Sequence, residues 1–182
     1  MFDGQTYALK IIPKDSCFHI LKAAYQEKKY LEMVDHSPFL VRLYGTFQDA
    51  VYLFLVMELV EGQDLRKCLE NYQDRLTENE VKFITVQIIE ALESMHNKRV
   101  LHRDIKPENI MMNEAGYLKL IDLGISSDTD SDGLSDAGSW EYMAPEGLEN
   151  KKQTNVYDFY ALGITVYELF EKKRPYKFMT KN

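Results

Sequence analysis

The sequence predicts an α+β fold: a small antiparallel sheet with one helix, followed by a mainly helical part. Three observations predict it. Short β-rich runs crowd the first 60 residues, a long capped helical pattern begins at Thr77, and the composition is that of a mixed, well-packed chain. With 182 residues, 45% hydrophobic and 28% charged, the chain can bury a real core.

Taken in order, Asp3-Gly4 is a turn dipeptide, and Thr6 to Ile12 reads as a strand ended by Pro13. A turn so early implies a strand before it. From Ser16 to Val34, Ile20, Leu21, Ala24, Leu31 and Val34 fall at helical spacing. Phe39 to Phe47 and Val51 to Leu59 are β-rich runs joined by Gln48-Asp49-Ala50, which predicts a hairpin. Glu61-Gly62-Gln63 breaks that pattern, and a short helix can follow from Asp64. Thr77-Glu78-Asn79-Glu80 fits a capping box ahead of Val81, Ile84, Ile88, Ala91, Leu92 and Met95. Two short strands, Ile110 to Met112 and Tyr117 to Ile121, flank the turn Asn113 to Gly116. The run SSDTDSDGLSD, Ser126 to Asp136, lacks periodicity and reads as a loop. A last helix is predicted from Asn155 to Phe170, with no internal repeat or interdomain linker.

The net charge of −7 argues against a nucleic-acid backbone or an anionic membrane as the main partner and leaves basic peptides open. Cys17 and Cys68 lack the spacing of a disulfide framework or a zinc site. The longest apolar run, Val51 to Met57, is too short to span a bilayer, and the N-terminus lacks a signal pattern, so a cytoplasmic setting is expected.

The stretch richest in chemistry is HRDIKPEN, His102 to Asn109, followed by Asp122-Leu123-Gly124. Asp104 could accept or orient a hydroxyl proton, Lys106 could neutralise a transferring phosphoryl group, and Asn109 with Asp122 could supply hard oxygen ligands to magnesium. With these residues in place, the chain resembles a eukaryotic protein kinase along nearly its whole length. YALK resembles the lysine strand, Glu27 in QEKKYL its helix partner, and HRDIKPEN the catalytic loop. Asp122-Leu123-Gly124 resembles the DFG metal motif, and Ala144-Pro145-Glu146 the end of the activation segment. SPFLVRLYGTF, MELVEGQDL and GSWEYMAPE resemble the cyclic-nucleotide-dependent branch of the serine/threonine kinases, with Trp140 in place of that branch's proline.

The resemblance implies a two-lobed fold truncated at both ends. Residues 1–60 would form a partial N-lobe and hinge, and 61–182 a partial C-lobe. It implies binding of ATP and Mg2+ through Lys10, Glu27, the hinge Glu58 to Val60, Asn109 and Asp122. Ala8 and Met111 would close the adenine pocket. Alone, Lys10 would read as a solvated strand lysine; Glu27 and the remaining motifs favour the phosphate role. His102 is expected to pack with Leu31, Leu43 and Leu123 in an apolar column rather than act as an acid or base. Asp158 could anchor the catalytic-loop backbone or simply favour a helix N-terminus. Arg103 would hold an activation loop phosphorylated at Ser135. Asp64, Glu108 and Glu168 match a basic-peptide pocket, so serines or threonines near arginine are the expected targets. The resemblance also implies a glycine-rich loop before Asp3-Gly4 and a partner arginine for Glu146, neither of which is in this sequence. Two readings follow: a serine/threonine kinase acting on a protein or peptide, or a catalytically impaired kinase-like interaction module.

Overall fold

The computed structural model describes residues 4–34, 37–71, 75–129, 138–149 and 151–176. The first strand, β1 (Tyr7–Pro13), alternates as its sequence requires: Ala8, Lys10 and Ile12 face the more covered side, while Leu9 and Ile11 face solvent. Helix α1 (Phe18–Met33) lies against that covered side, where Ile12, Ala24 and Leu55 form a small core of their own. The stripe predicted for this helix is buried at Ala24, Leu31 and Val34, but Ile20 is exposed near the helix start.

Strands β2 (Leu43–Gln48) and β3 (Tyr52–Glu58) form the expected hairpin, and the sheet runs β1-β3-β2, antiparallel throughout. The chain turns where it does because the Asp49 carboxylate accepts the backbone N–H groups of Val51 and Tyr52, at 2.7 and 2.6 Å. β2 starts later than its sequence suggests. Phe39 to Val41 instead bond across to Leu120: Leu120 N–H donates to Phe39 O at 2.8 Å, and Val41 N–H donates to Leu120 O at 3.0 Å. The β-rich run therefore serves two partners and breaks between them.

Strand β4 (Gln63–Asp64) leads into α2 (Leu65–Asn71), whose first turn is capped by the Asp64 carboxylate accepting Lys67 N–H at 2.9 Å. Helix α3 (Glu78–His96) begins with the predicted reciprocal cap: Thr77 Oγ1 accepts Glu80 N–H, and Glu80 accepts Thr77 N–H at 2.7 Å. All six of its predicted apolar positions are buried. Leu92 and Met95 are fully enclosed, and burial of such a side chain stabilises by about 1.5–3 kcal/mol.

β5 (Val100–Leu101) precedes the His102 loop, and β6 (Ile110–Met112) with β7 (Leu118–Leu120) follows it, giving a second sheet ordered β4-β6-β7. One expectation is corrected here. The run from Ser126 begins not as loop but as a strand, β8 (Ser127–Asp128), paired with β5. A two-residue strand is too short to show a period, and its serines gave no apolar signal. Residues 130–136 of that run lie outside the described residues. The chain ends its described course with α4 (Pro145–Leu148) and α5 (Asn155–Glu171). The main core joins Tyr30 and Leu31 of α1, and Val34 just after it, to α3, β7 and α5, so the helix beside the first sheet is packed into the helical part.

Candidate active site

The alternation of β1 aims Lys10 at α1, and its Nζ lies 2.7 Å from Glu27 Oε2 and 3.4 Å from Asp122 Oδ1. Three residues far apart in sequence meet here. Glu27 is only 2% exposed, and its burial pushes its carboxyl above the usual carboxylate range against the pull of Lys10. Burial alone would lower Lys10, but Glu27 and then Asp122 outweigh it and hold the ammonium above its ordinary value.

The His102 loop hangs from α5. Asp158, fully buried in the first turn of that helix, accepts His102 N–H at 2.9 Å and Arg103 N–H at 2.8 Å. The oxygen that accepts His102 N–H, Oδ2, also lies 2.8 Å from His96 Nε2, a contact that sequence reasoning missed because 62 residues separate the pair. Arg103 and Asp122 both adopt left-handed backbone, φ 72° and 64°, a conformation that costs a non-glycine residue roughly 1–2 kcal/mol and is held by its surroundings. His102 is fully buried, Leu31 and Leu123 are buried members of the main core, and Leu43 packs against that core. Burial lowers the His102 pKa, which favours a neutral ring. Its Nδ1 accepts Asp104 N–H at 3.3 Å, an orienting contact rather than proton transfer.

Asp104 is the centre of the array. Its Oδ2 accepts Lys106 Nζ at 2.6 Å and Asn109 Nδ2 at 2.8 Å, and its Oδ1 accepts Ser139 N–H at 3.1 Å. A carboxylate offers about four lone-pair positions, so Oδ2 is filled and Oδ1 retains one. Burial would raise the Asp104 pKa, but the Lys106 ammonium and Ser139 hold it below the usual carboxylate range. Ser139 Oγ also accepts Lys106 Nζ at 2.7 Å. Its position in GSWEYMAPE was visible in the sequence, but its contact with a loop 33 residues earlier was not.

The remaining expected residues are distributed less simply. Asp64 is turned to the start of α2 and pairs with Lys67 at 3.0 Å. Glu108 and Glu168 do come together, but around Arg66: Arg66 Nε lies 2.8 Å from Glu108, and Nη1 lies 2.8 Å from Glu168. The open acidic pocket expected of these three residues is therefore filled in part by the chain's own arginine, and Glu168 is buried rather than exposed. Arg103 is also largely buried, with Nη1 3.4 Å from Ile125 O. Ser135 lies outside the described residues.

Comparison with known proteins places this geometry in context. The family model for the protein kinase domain matches residues 2–182. The chain belongs to the protein kinase family. It is 32% identical over 176 residues to cAMP-dependent protein kinase type 3 of Saccharomyces cerevisiae, covering 96% of this chain and 44% of that protein. It is 35% identical over 187 residues to ribosomal protein S6 kinase alpha-6 of Danio rerio, covering 98% and 24%. With the cGMP-dependent protein kinase isozyme 1 of Drosophila melanogaster it shares 32% identity over 176 residues, covering 93% and 22%. The chain thus spans less than half the length of each of these relatives.

As a protein kinase family member, the chain can be tested for a fit to a magnesium-bound nucleotide. Asn109 commits its Nδ2 to Asp104, which leaves its Oδ1 as the uncommitted hard donor. Ile121 N–H donates to the Asn109 backbone carbonyl at 3.0 Å, which ties the residue before the half-exposed Asp122 to Asn109. Mg2+ is commonly held by one or two carboxylates and completed by water and phosphate oxygens, which this pair of oxygens fits. No group of three or more His, Cys, Asp or Glu residues able to hold a metal occurs among the described residues. Ala8 lies on the Lys10 face of β1, and Met111 lies half-buried in β6. The side chain of Glu58, at the end of β3, lies 2.9 Å from Lys119, and Val60 packs against the main core.

Proposed function

We propose that this chain is a serine/threonine protein kinase that transfers the γ-phosphoryl group of ATP to a protein or peptide hydroxyl. The observation that carries this reading is the Asp104 array, in which three fixed donors leave one acceptor position on Oδ1. Asp104 orients the substrate hydroxyl at that position and takes up its proton. Lys106, held on Asp104 and Ser139, brings a positive charge to where the phosphoryl group passes. Lys10, set by Glu27, holds the nucleotide phosphates, with Ala8, Met111 and the Glu58 to Val60 backbone around the adenine. Mg2+, when bound through Asn109 and Asp122, neutralises the charge on the phosphates.

Several finer readings belong to the same proposal. A cytoplasmic setting accords with two free thiols, Cys17 exposed and Cys68 buried. Ser135 is phosphorylated and docks on Arg103; phosphotransfer unchanged in Ser135→Ala would count against it. Preference for basic neighbours retains Asp64, whereas Glu108 and Glu168 contribute only where Arg66 releases them. The test of the main reading is transfer of labelled phosphate from ATP to a serine-containing protein. The chain should transfer it and Asp104→Ala should not, and equal transfer by both proteins would reject catalysis through Asp104. No transfer by either would favour the interaction-module reading.

A further inference from the structure

Arg66 sits in the first turn of α2, and its guanidinium is engaged on every nitrogen. Nε donates to Glu108 Oε1 at 2.8 Å, Nη1 to Glu168 Oε1 at 2.8 Å, and Nη2 to Glu168 Oε2 at 3.1 Å and to Tyr142 Oη at 2.7 Å. Glu168 thus receives it bidentately, the arrangement that fits a planar guanidinium and not a point charge. The Tyr142 hydroxyl in turn donates a further hydrogen bond to Glu168 Oε2. Burial would lower the Arg66 pKa, but Glu168 and Glu108 reverse that and hold it above its ordinary value. Arg174 stands farther off, with Nε 3.9 Å from Glu168 and Nη1 2.9 Å from Glu141.

This socket shares its walls with the Asp104 array. Glu108 lies between Lys106 and Asn109, which both bond Asp104 Oδ2, and Tyr142 N–H donates at 2.9 Å to the carbonyl of Ser139, which bonds Oδ1. Glu108 is four residues from Asp104, at most about 15 Å of chain. A peptide whose hydroxyl meets Asp104 advances about 3.3 Å per residue, so an arginine within three residues of that hydroxyl spans the gap with its long side chain. The Glu108 side of the socket is open, since that side chain is 43% exposed.

We propose that this socket is a guanidinium-recognition site closed by the chain's own Arg66, so that Arg66 sets peptide preference by excluding a substrate arginine. The inference rests on the kinase reading. With Arg66 in place, an incoming arginine must displace a tethered group that already makes the same hydrogen bonds. With Arg66 removed, two carboxylates and a phenol are left around a guanidinium-shaped space.

The test compares the chain with Arg66→Ala on peptides carrying one serine in an alanine background, with a single arginine scanned through three positions on either side. For the unaltered chain, kcat/KM with and without arginine should agree within about threefold at the position the socket reads, leaving elsewhere only the preference that Asp64 confers. For Arg66→Ala it should favour arginine at least about tenfold at one position, as a bidentate charge-assisted pair can. Strong arginine selectivity in the unaltered chain that Arg66→Ala leaves intact would overturn the proposal, as would an unselective Arg66→Ala. A second measurement does not need turnover: about 10 mM methylguanidinium should raise the Tm of Arg66→Ala, while tetramethylammonium should not, and neither should shift the unaltered chain. If neither protein phosphorylates any peptide, the kinase reading fails and the Tm shift alone decides the socket. If Arg66→Ala folds poorly, methylguanidinium present during refolding should restore its yield, and absence of that rescue would overturn the socket.

Discussion

The contact that holds the His102 loop on the helical part can be removed with one substitution, Asp158→Ala. Asp158 is fully buried, and its two oxygens accept the N–H groups of His102 and Arg103 at 2.9 and 2.8 Å. A hydrogen bond to a charged group contributes about 1.5–3 kcal/mol, so loss of both costs about 3–6 kcal/mol, with water entering the vacated space moving the result toward the lower figure. A helix-dipole effect alone, the simpler reading of an acid in a first turn, would cost only about 0.3–1 kcal/mol. Asp158→Asn keeps one acceptor but turns an amide against an N–H donor, and should fall between. Urea unfolding followed by far-ultraviolet circular dichroism separates these cases. With a slope of about 2 kcal/mol per molar, Asp158→Ala should lower the midpoint by about 1.5–3 M. Phosphotransfer should fall under native conditions too, because the left-handed backbone of Arg103 is then free to relax and carry Asp104 with it. A midpoint change below about 0.5 M would refute the anchoring role and leave only the dipole.

Lys10→Met should lower phosphotransfer by about 10²–10³-fold, the cost of removing one well-placed charge-stabilising group. It also leaves Glu27 buried beside Asp122, so its stability deficit should be larger at pH 8 than at pH 5; a deficit independent of pH would count against the pair. For His102 the folded-state pKa is depressed by burial, so its contribution is present above about pH 6.5 and lost as pH falls. The stability of the chain relative to His102→Phe should therefore drop below about pH 6.5, by up to about 1.4 kcal/mol per pH unit, and parallel curves from pH 7.5 to 5.5 would be the contrary result. Thr77→Ala should cost about 1 kcal/mol through the α3 cap, read from the same urea transitions, with phosphotransfer unchanged; a cost near zero would mean that Glu80 caps the helix without it.

What the sequence made legible was local. The Thr77 capping box and the α3 stripe lie within single elements, and the chemistry from His102 to Asn109 lies within eight residues, so spacing alone exposes them. Lys10 and Glu27 needed a resemblance, because nothing local couples a strand lysine to a helix glutamate 17 residues on. The resemblance also pointed to Asp158 as an anchor of the His102 loop, but other long-range polar contacts left no trace. Arg66 and Glu168 are 102 residues apart, and each is an ordinary helix residue by pattern. The acidic positions were readable, but not the cation that fills them. The division of Phe39 to Phe47 between two sheets was hidden for a similar reason, since its β propensity does not say which strand it will pair with.

On the proposed kinase reading, environment rather than residue type divides the work between the two aspartates of the site. Asp104 is largely buried, accepts three fixed donors, and has its carboxyl held below the usual range. It is a rigid acceptor with one direction left open. Asp122 is half-exposed, and its contacts are long ones, 3.4 Å to Lys10 Nζ and 3.3 Å from Gly124 N–H, both to the same oxygen. At such a separation near solvent an ion pair contributes at most about 1 kcal/mol, so little holds Asp122 against a stronger cation. Exchanging the two environments would reverse their suitability: a carboxylate already filled on one oxygen makes a poor metal ligand, and one loosely held makes a poor positioning group. The difference is fixed by neighbours. Lys106, Asn109 and Ser139 surround Asp104, whereas the left-handed turn at Asp122 presents its carboxylate outward beside Lys10.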